Sequence, residues 1–155
     1  MTNEEFMKEA IDMAIDNVAN GGGPFGAVIV KDGKVIGRGV NRVTAQCDPT
    51  AHAEVSAIRD AARNTGSFSL EGATIYTSCE PCPMCLGAIY WARIAHIFYG
   101  NSQADAAKID FDDSFIYRQI EKPIGSRAIP ESQLLHSEAL KSFEAWTNKE
   151  DKTKY

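Results

Sequence analysis

Two short motifs restrict the possible fold and chemistry of this chain, His52-Ala53-Glu54 and Pro81-Cys82-Pro83-Met84-Cys85. Together they supply one imidazole, two thiols and one further carboxylate. Imidazole and thiolate are ligands that Zn²⁺ takes in proteins, and three protein ligands leave the fourth tetrahedral position open, as in catalytic zinc sites. The motifs therefore predict one zinc ion held by His52, Cys82 and Cys85, with Glu54 beside it as a proton-transfer group.

The spacing within each motif says where these residues must lie. Cys82 and Cys85 are three residues apart and share one face of a helix, and a helix N-terminus lowers thiol pKa values. His52 and Glu54 are two residues apart and do not face each other on a regular helix, so both serve one metal only where that helix begins. We expect residues 48–50 (Asp-Pro-Thr) to cap and start it.

A third cysteine leaves an alternative open. Cys79 precedes Cys82 at the same spacing that separates Cys82 from Cys85. With His52 it would complete a four-ligand structural zinc site, or the cysteines would hold an iron–sulfur cluster. Against this, Cys79 is expected at the end of a strand and not on the helix that carries the other two. Cys47 is predicted to be a free thiol.

Composition narrows the class of protein. The chain has 155 residues, which predicts one domain over residues 1–155. Its net charge is −5 and its Lys and Arg residues form no basic stripe, which argues against a nucleic-acid partner. No apolar run reaches the roughly 18 residues that a membrane helix needs, and no apolar signal core follows the acidic N-terminus. We therefore expect no membrane partner and a cytoplasmic location.

Hydrophobic periodicity and turn signals predict an α/β fold. The first predicted helix has a Thr2–Glu5 capping box and ends at glycines 21–23. Two strands follow, over 25–31 and 34–40, joined by a turn at Asp32-Gly33. The remaining predicted elements, in chain order, are a helix to about residue 64, a strand over 73–78, a helix over 82–92, a strand over 95–100, a weak helix over 104–108 and a last helix over 137–148. This order predicts a mixed central sheet in a three-layer α/β/α sandwich, with parallel neighbours and right-handed crossovers where strand, helix and strand alternate.

Four segments carry a resemblance to a known family: residues 23–27 (Gly-Pro-Phe-Gly-Ala), 48–54 (Asp-Pro-Thr-Ala-His-Ala-Glu), 77–85 (Thr-Ser-Cys-Glu-Pro-Cys-Pro-Met-Cys) and 111–115 (Phe-Asp-Asp-Ser-Phe). The chain resembles the cytidine/deoxycytidylate deaminase superfamily, whose zinc nucleobase deaminases carry the H-x-E and P-C-x-x-C motifs. The first three segments are shared widely among base deaminases. The fourth, with the terminal Tyr155, resembles the bacterial guanine deaminases.

The resemblance implies a cytidine deaminase-like fold and an activity. It implies hydrolysis of guanine to xanthine and ammonia, in which zinc-bound hydroxide attacks the ring carbon that bears the amino group and Glu54 shuttles protons. It also implies these substrate contacts: Asn41 and the Ala53 backbone N–H on the purine edge, Phe25 and Trp91 as walls of the base site, and Asp113 with Tyr155 at the departing amino group.

The resemblance further implies a homodimer, in which the C-terminal segment, about residues 137–155, is exchanged between protomers. Several alternatives stay open at this point. The substrate would instead be cytosine, an aminotriazine or a tRNA adenosine, or the chain would be a structural zinc-binding module without catalysis. In another interpretation, Phe25 and Trp91 are ordinary core residues and Asn41 only closes a turn. Either Asp112 or Asp113 would cap a helix that begins near Ser114 while the other acts on substrate.

Overall fold

The central sheet consists of four strands, β1 (Gly26–Lys31), β2 (Lys34–Val40), β3 (Thr74–Cys79) and β4 (His96–Asn101), in the order β2-β1-β3-β4. This computed structural model describes residues 1–155, which divide into two compact units, residues 1–114 and 115–155. β1 is antiparallel to both β2 and β3, whereas β3 and β4 are parallel. The sheet is therefore mixed, as predicted. The expectation of a single domain over residues 1–155 stays a prediction.

The strand order corrects one expectation about the crossovers. β2 and β3 are joined through a helix, but they are not neighbours because β1 lies between them. The β1–β2 hairpin pairs Gly26 with Val40 and Lys31 with Lys34, and it leaves the other edge of β1 for β3. Only the β3–β4 crossover therefore joins parallel neighbours. The hairpin turn is as predicted, since Asp32 and Gly33 both have positive φ (50° and 73°), as a type I′ turn requires.

Helices cover both faces of the sheet. The helices of the first unit are α1 (Asn3–Ala19), α2 (Val43–Gln46), α3 (Ala53–Thr65), α4 (Pro83–Trp91) and α5 (Gln103–Ala107). On one face α1 packs against the sheet, with Phe6, Ala10, Val28, Val30 and Tyr76 buried together. On the other face α3 and α4 pack, with Ala27, Ile29, Ala57, Ile75 and Ile89 among the buried residues. Alternate residues of β1 thus enter opposite cores, and the three-layer sandwich is confirmed.

Two glycines set the close approach of α3 to β2. A Cβ at Gly37 would lie 2.6 Å from the carbonyl oxygen of Ala57, and one at Gly39 would collide with the carbonyl oxygen of Ala53. Neither glycine has a positive φ, so the space and not the backbone conformation requires glycine there. The first turn of α3, which carries Glu54, is consequently held against the carboxyl end of β2, where open α/β sheets bind ligands.

The second unit is helical. After α6 (Ser114–Glu121), a single 3₁₀ turn (Ile124–Ser126) and α7 (His136–Asn148) follow. Arg127 organises the connection, because its Nε donates to the carbonyl oxygen of Gln119 at 3.0 Å and its Nη1 lies 3.0 Å from Glu131. The unit leaves these apolar side chains exposed: Phe115, Ile116, Ile120, Leu140, Phe143 and Trp146. No helix of the chain combines the length and apolar character needed to cross a membrane.

Candidate active site

The structure brings together the three side chains predicted to hold zinc. The Nδ1 atom of His52 lies 3.5 Å from the Sγ atom of Cys82 and 3.5 Å from that of Cys85, and all three ligand atoms lie within 4.8 Å of one another. A tetrahedral ion with Zn–S near 2.3 Å and Zn–N near 2.0–2.1 Å separates sulfur from nitrogen by about 3.6 Å. The donor set and its spacing therefore fit zinc.

The start of α3 differs from the expectation. The Asp48 carboxylate accepts hydrogen bonds from the backbone N–H and hydroxyl of Thr50, at 2.9 and 2.6 Å, so residues 48–50 form their own turn and do not cap the helix. α3 begins only at Ala53, and His52 precedes it with extended backbone and makes no side-chain cap. His52 thus lies just outside the helix and Glu54 in its first turn, which lets two residues of this spacing serve one site.

Cys82 plays the equivalent part for α4. It is the N-cap residue, Pro83 is the first helical residue, and the Cys82 sulfur accepts from the backbone N–H of Cys85 at 3.5 Å. The helix therefore begins one residue later than expected. Both ligand-bearing helices point their N-terminal ends at the site, where the unpaired N–H groups favour negative charge such as that of a thiolate.

The two thiols are electrostatically coupled. The hydrogen bond from Cys85 and the neighbouring His52 lower the pKa of the Cys82 thiol against the opposing effect of burial. The same hydrogen bond, burial and the charge of Glu54 raise the pKa of Cys85. A divalent cation supplies positive charge that favours both thiolates, which is the behaviour expected of a thiolate metal site.

Glu54 lies beside this group and is not part of it. Its side chain is 5% exposed, and its Oε1 atom accepts from the hydroxyl of Thr77 at 2.6 Å. Its charge is one of the causes that raise the pKa of the neighbouring Cys85 thiol. Thr77 is fully buried on β3, and its hydroxyl is also 3.0 Å from the carbonyl oxygen of Cys79. The role of Thr77 was not predicted from the sequence. The signal that could have indicated it was a hydroxyl side chain near the end of a buried strand, just before the cysteine motif.

The remaining cysteines lie outside the metal-ligand group. Cys79 is the last residue of β3, and its thiol donates to the carbonyl oxygen of Ser102 at 3.8 Å. Burial raises the pKa of the Cys79 thiol to about 11, which disfavours a thiolate ligand. Cys47 is exposed at the end of α2. The structure thus forms the three-ligand group and not the four-ligand site that Cys79 would have completed.

The structure assigns different surroundings to the two candidate aspartates. Asp112 is exposed and accepts from the backbone N–H of Ser114 at 2.9 Å, at the start of α6. The Oδ1 atom of Asp113 is the buried side-chain oxygen that has no hydrogen-bond partner. Burial raises the pKa of Asp113, while a hydrogen bond from Gln103 lowers it. A hydrogen bond to Cys82 raises the pKa of His52, and the negative charge of Asp113 acts in the same direction.

Two further polar groups lie at the ends of elements. Asn41 is buried directly after β2, and its Oδ1 atom accepts from the backbone N–H of Val43 at 3.2 Å. Ala53 is fully buried, and as the first residue of α3 its backbone N–H has no partner within the helix. Both groups can donate to a ligand. Their contact with substrate remains a prediction.

The aromatic residues named from the resemblance have unlike environments. Phe25 is partly buried and meets Phe111 edge to face, with ring centroids 5.0 Å apart. Trp91 ends α4 and is 66% exposed, with the Arg93 guanidinium 5.9 Å from its ring. Tyr155 is 75% exposed at the end of the second unit. Trp91 is therefore not core, and the roles of all three on substrate stay predictions.

Comparison with known proteins agrees with this geometry. The chain is 54% identical to guanine deaminase of Bacillus subtilis (strain 168) over the full length of both. The crystal structure of the Bacillus subtilis guanine deaminase superimposes on this chain with a TM-score of 0.97, over 100% of this chain and 99% of that one. A tRNA-specific adenosine deaminase of Haemophilus influenzae is 38% identical over 86% of this chain and 80% of its own length.

The family described as the cytidine and deoxycytidylate deaminase zinc-binding region matches residues 1–101, which include both motifs and the whole four-stranded sheet. The mixed sheet with helices on both faces is the fold that the sequence resemblance led us to expect, and His52, Cys82 and Cys85 lie together as a group that could hold zinc. The chain belongs to the cytidine and deoxycytidylate deaminase family.

Proposed function

We propose that this chain hydrolyses guanine to xanthine and ammonia. One observation carries the proposal: the buried Glu54 carboxylate lies beside His52, Cys82 and Cys85, three side chains that would hold a zinc ion and would leave its fourth position to a reactant. The full-length similarity to a guanine deaminase supports guanine as the substrate.

The chemistry asked of the protein is proton transfer. Zinc, when bound, acts as a Lewis acid that makes water acidic enough to react near neutral pH. Glu54 takes one proton from the attacking water and gives it to a ring nitrogen. It then takes the second proton from the new hydroxyl group and gives it to the amino group, which leaves as ammonia while the carbonyl of xanthine forms. A carboxylate serves as base and then as acid when it is fixed within hydrogen-bond reach of both partners. The contact with Thr77 at 2.6 Å provides that fixation.

Hydrogen-bonding groups in the plane of the base select guanine in this proposal. Guanine presents acceptors at N7 and O6, and Asn41 and the Ala53 backbone N–H offer donors. Its 2-amino group is a donor, and the unpaired Oδ1 atom of Asp113 is an acceptor that lacks a protein partner. A buried unpaired acceptor costs free energy until a ligand satisfies it, so Asp113 favours ligands with an amino group.

Aromatic side chains complete the proposed substrate site. Phe25, held edge-on by Phe111, covers one part of the base, and Trp91 contributes a further wall. The resemblance to the guanine deaminases supports Tyr155 as a further substrate contact. We expect a base site that is closed around guanine to have no space for a ribose, so guanosine should be a far poorer substrate than guanine.

The test is ammonia release by the purified zinc-loaded protein. The substrates are guanine, guanosine, cytosine, cytidine, adenine, an aminotriazine and a tRNA anticodon stem-loop, with Glu54→Gln as the inactive control. We expect guanine to have the highest kcat/KM. The net charge of −5 makes a polynucleotide a poor partner. A higher kcat/KM for the stem-loop or for cytosine would refute the guanine assignment while leaving a deaminase.

A homodimer is part of the same proposal. The second unit exposes more large apolar side chains, including Phe115 and Phe143, than the scattered ones that are normal on a protein surface. Exposure of this kind is typical of a protein interface. We propose that residues 137–155 are exchanged between protomers. We also place the protein in the cytoplasm, where reduced thiols such as those of Cys47 and Cys79 persist.

Complementation tests the exchange. Light scattering at micromolar concentration should give twice the chain mass. A chain without its last residues keeps Glu54 but lacks Tyr155, whereas Glu54→Gln keeps the tail but lacks the proton shuttle. If the tail acts on the partner's site, co-expression of the two inactive chains should restore activity. A monomer, or no restored activity in verified mixed dimers, would contradict the proposal.

A further inference from the structure

A buried asparagine joins the two loops that lead to the proposed base site. The Nδ2 atom of Asn17 donates to the carbonyl oxygen of Gly23 at 2.8 Å and to that of Asn41 at 2.9 Å. Asn17 lies near the end of α1, and its own carbonyl oxygen accepts from Gly22 at 2.8 Å. Asn17 is buried, and its hydrogen bond to Asn41 is made away from solvent, where leaving the Asn41 carbonyl unpaired is costly.

The same loop fixes which end of the Asn41 amide is free. The backbone N–H of Val43 requires an acceptor, so the Asn41 oxygen must face it, at 3.2 Å. The amide nitrogen is consequently the end left to donate to a ligand. Asn41 is thus held by three hydrogen bonds: Val43 donates to its side-chain oxygen, Asn17 donates to its backbone oxygen, and its own backbone N–H donates to the carbonyl oxygen of Phe25 at 3.2 Å.

We propose that Asn17 is a positioning residue for substrate binding, which acts by fixing Asn41 so that its amide nitrogen donates to an acceptor on the base. This inference rests on the proposed function for the identity of the base. The expected direction of the effect, weaker substrate binding when Asn17 is lost, is the same for any base that Asn41 contacts. Asn17 lies on the face of the sheet that α1 covers, opposite the face covered by α3, and acts only through the loops. Misplacing a binding group by about 1 Å is enough to lower a rate constant severely.

Gly22 offers a way to disturb Asn17 without replacing it. A Cβ at Gly22 would lie 2.7 Å from the Cγ atom of Asn17, so Gly22→Ala must displace the amide. The φ of Gly22 lies outside the left-handed region, so alanine brings no backbone strain of its own. Gly125→Ala is the matched control, because a Cβ there meets no atom within 4 Å.

The experiment is a double-mutant cycle on the zinc-loaded protein. Steady-state kinetics with guanine are measured for wild type, Asn17→Ala, Asn41→Ala and the double variant, together with Gly22→Ala and Gly125→Ala. We expect Asn17→Ala and Gly22→Ala to lower kcat/KM by about tenfold or more, mainly through KM, with zinc content unchanged. In the Asn41→Ala background the effect of Asn17→Ala should shrink to less than about threefold, because the two act as one unit.

The outcomes separate the inference from the proposed function. If wild type does not use guanine, the proposed function fails, and the same variants are measured on whichever base it uses best. Additive effects of Asn17→Ala and Asn41→Ala would show that Asn17 only stabilises the fold and would overturn the inference. If Asn17→Ala does not fold, Gly22→Ala alone and combined with Asn41→Ala carries the same comparison, and wild-type kinetics for Gly22→Ala would likewise overturn it.

Discussion

The hydroxyl of Thr77 lies 2.6 Å from the Oε1 atom of Glu54 and 3.0 Å from the carbonyl oxygen of Cys79. A hydroxyl donates one hydrogen bond and can accept others. When Glu54 is ionised, Thr77 donates to it. When Glu54 carries a proton, it can donate to Thr77 while Thr77 donates to Cys79. One buried hydroxyl therefore satisfies Glu54 in both of the states that a proton shuttle must pass through.

Thr77→Val should lower kcat by about tenfold or more, because a hydrogen bond to a charged group contributes roughly 1.5–3 kcal/mol and 1.36 kcal/mol corresponds to a factor of ten in rate. Valine has nearly the same shape, so zinc content should be unchanged. Thr77→Ser, which keeps the hydroxyl, should retain most of the activity. Thr65→Val is the control, since it removes a hydroxyl that only bonds the carbonyl oxygen of Ala61. Equal kcat for Thr77→Val and wild type would contradict this reading.

Glu54→Gln should keep the fold and the zinc but remove nearly all turnover. General acid–base catalysis is typically worth roughly 10²–10⁴-fold, and a residue that serves several proton transfers should lie at or beyond the upper end. Single-turnover ammonia release measures the loss of turnover, and metal analysis of the same sample measures the zinc content. The control is Glu71→Gln at an exposed position. Turnover within about tenfold of wild type would rule out the shuttle role.

Local sequence signals account for most of the fold because they act over a few residues. The capping box of Thr2 and Glu5 and the Asp32-Gly33 turn both form as predicted. The order of strands is a different matter, since it depends on which edge of β1 remains free, and that is a tertiary property. Asp48 shows how two local preferences compete: a carboxylate that can cap a helix instead closes a turn on Thr50.

The metal ligands were predictable because zinc demands particular side chains at particular spacings. The groups that support Glu54 and Asn41 were not predictable. Thr77 and Asn17 are far from Glu54 and Asn41 in sequence, and only the packed structure shows the hydrogen bonds that join them. Sequence also left the choice between Asp112 and Asp113 open, because either could cap α6. Burial separates them, since Asp113 keeps an unpaired oxygen.

Zinc content should depend on Cys82 and not on Cys79. Cys82→Ser removes a ligand that lies 3.5 Å from His52 and should lower bound zinc from one ion per chain to near none after dialysis. Cys79→Ser changes a buried thiol that donates to the Ser102 carbonyl and lies outside the metal-ligand group, so it should leave one ion per chain. Metal analysis of both variants decides it. Loss of zinc from Cys79→Ser would favour the four-ligand structural site.

Asp113→Ala should cost at least about 2 kcal/mol of transition-state binding for guanine, or roughly a thirtyfold loss in kcat/KM, on the scale of a hydrogen bond to a charged group. The physical reason is the unpaired Oδ1 atom, which a 2-amino group would satisfy and a base without one would leave buried and alone. Asp112→Ala is the matched control one residue away. Asp112→Ala removes the acceptor for the Ser114 N–H and should lower thermal stability slightly, while kcat/KM stays close to wild type.

Inhibition by purine bases adds a second measurement. Asp113→Ala should weaken inhibition by bases that carry a 2-amino group and leave inhibition by bases without one unchanged. If Asp113→Ala has no effect while Asp112→Ala lowers kcat/KM, the assignment of the two aspartates is reversed. If neither has an effect, the amino group is recognised by another part of the chain.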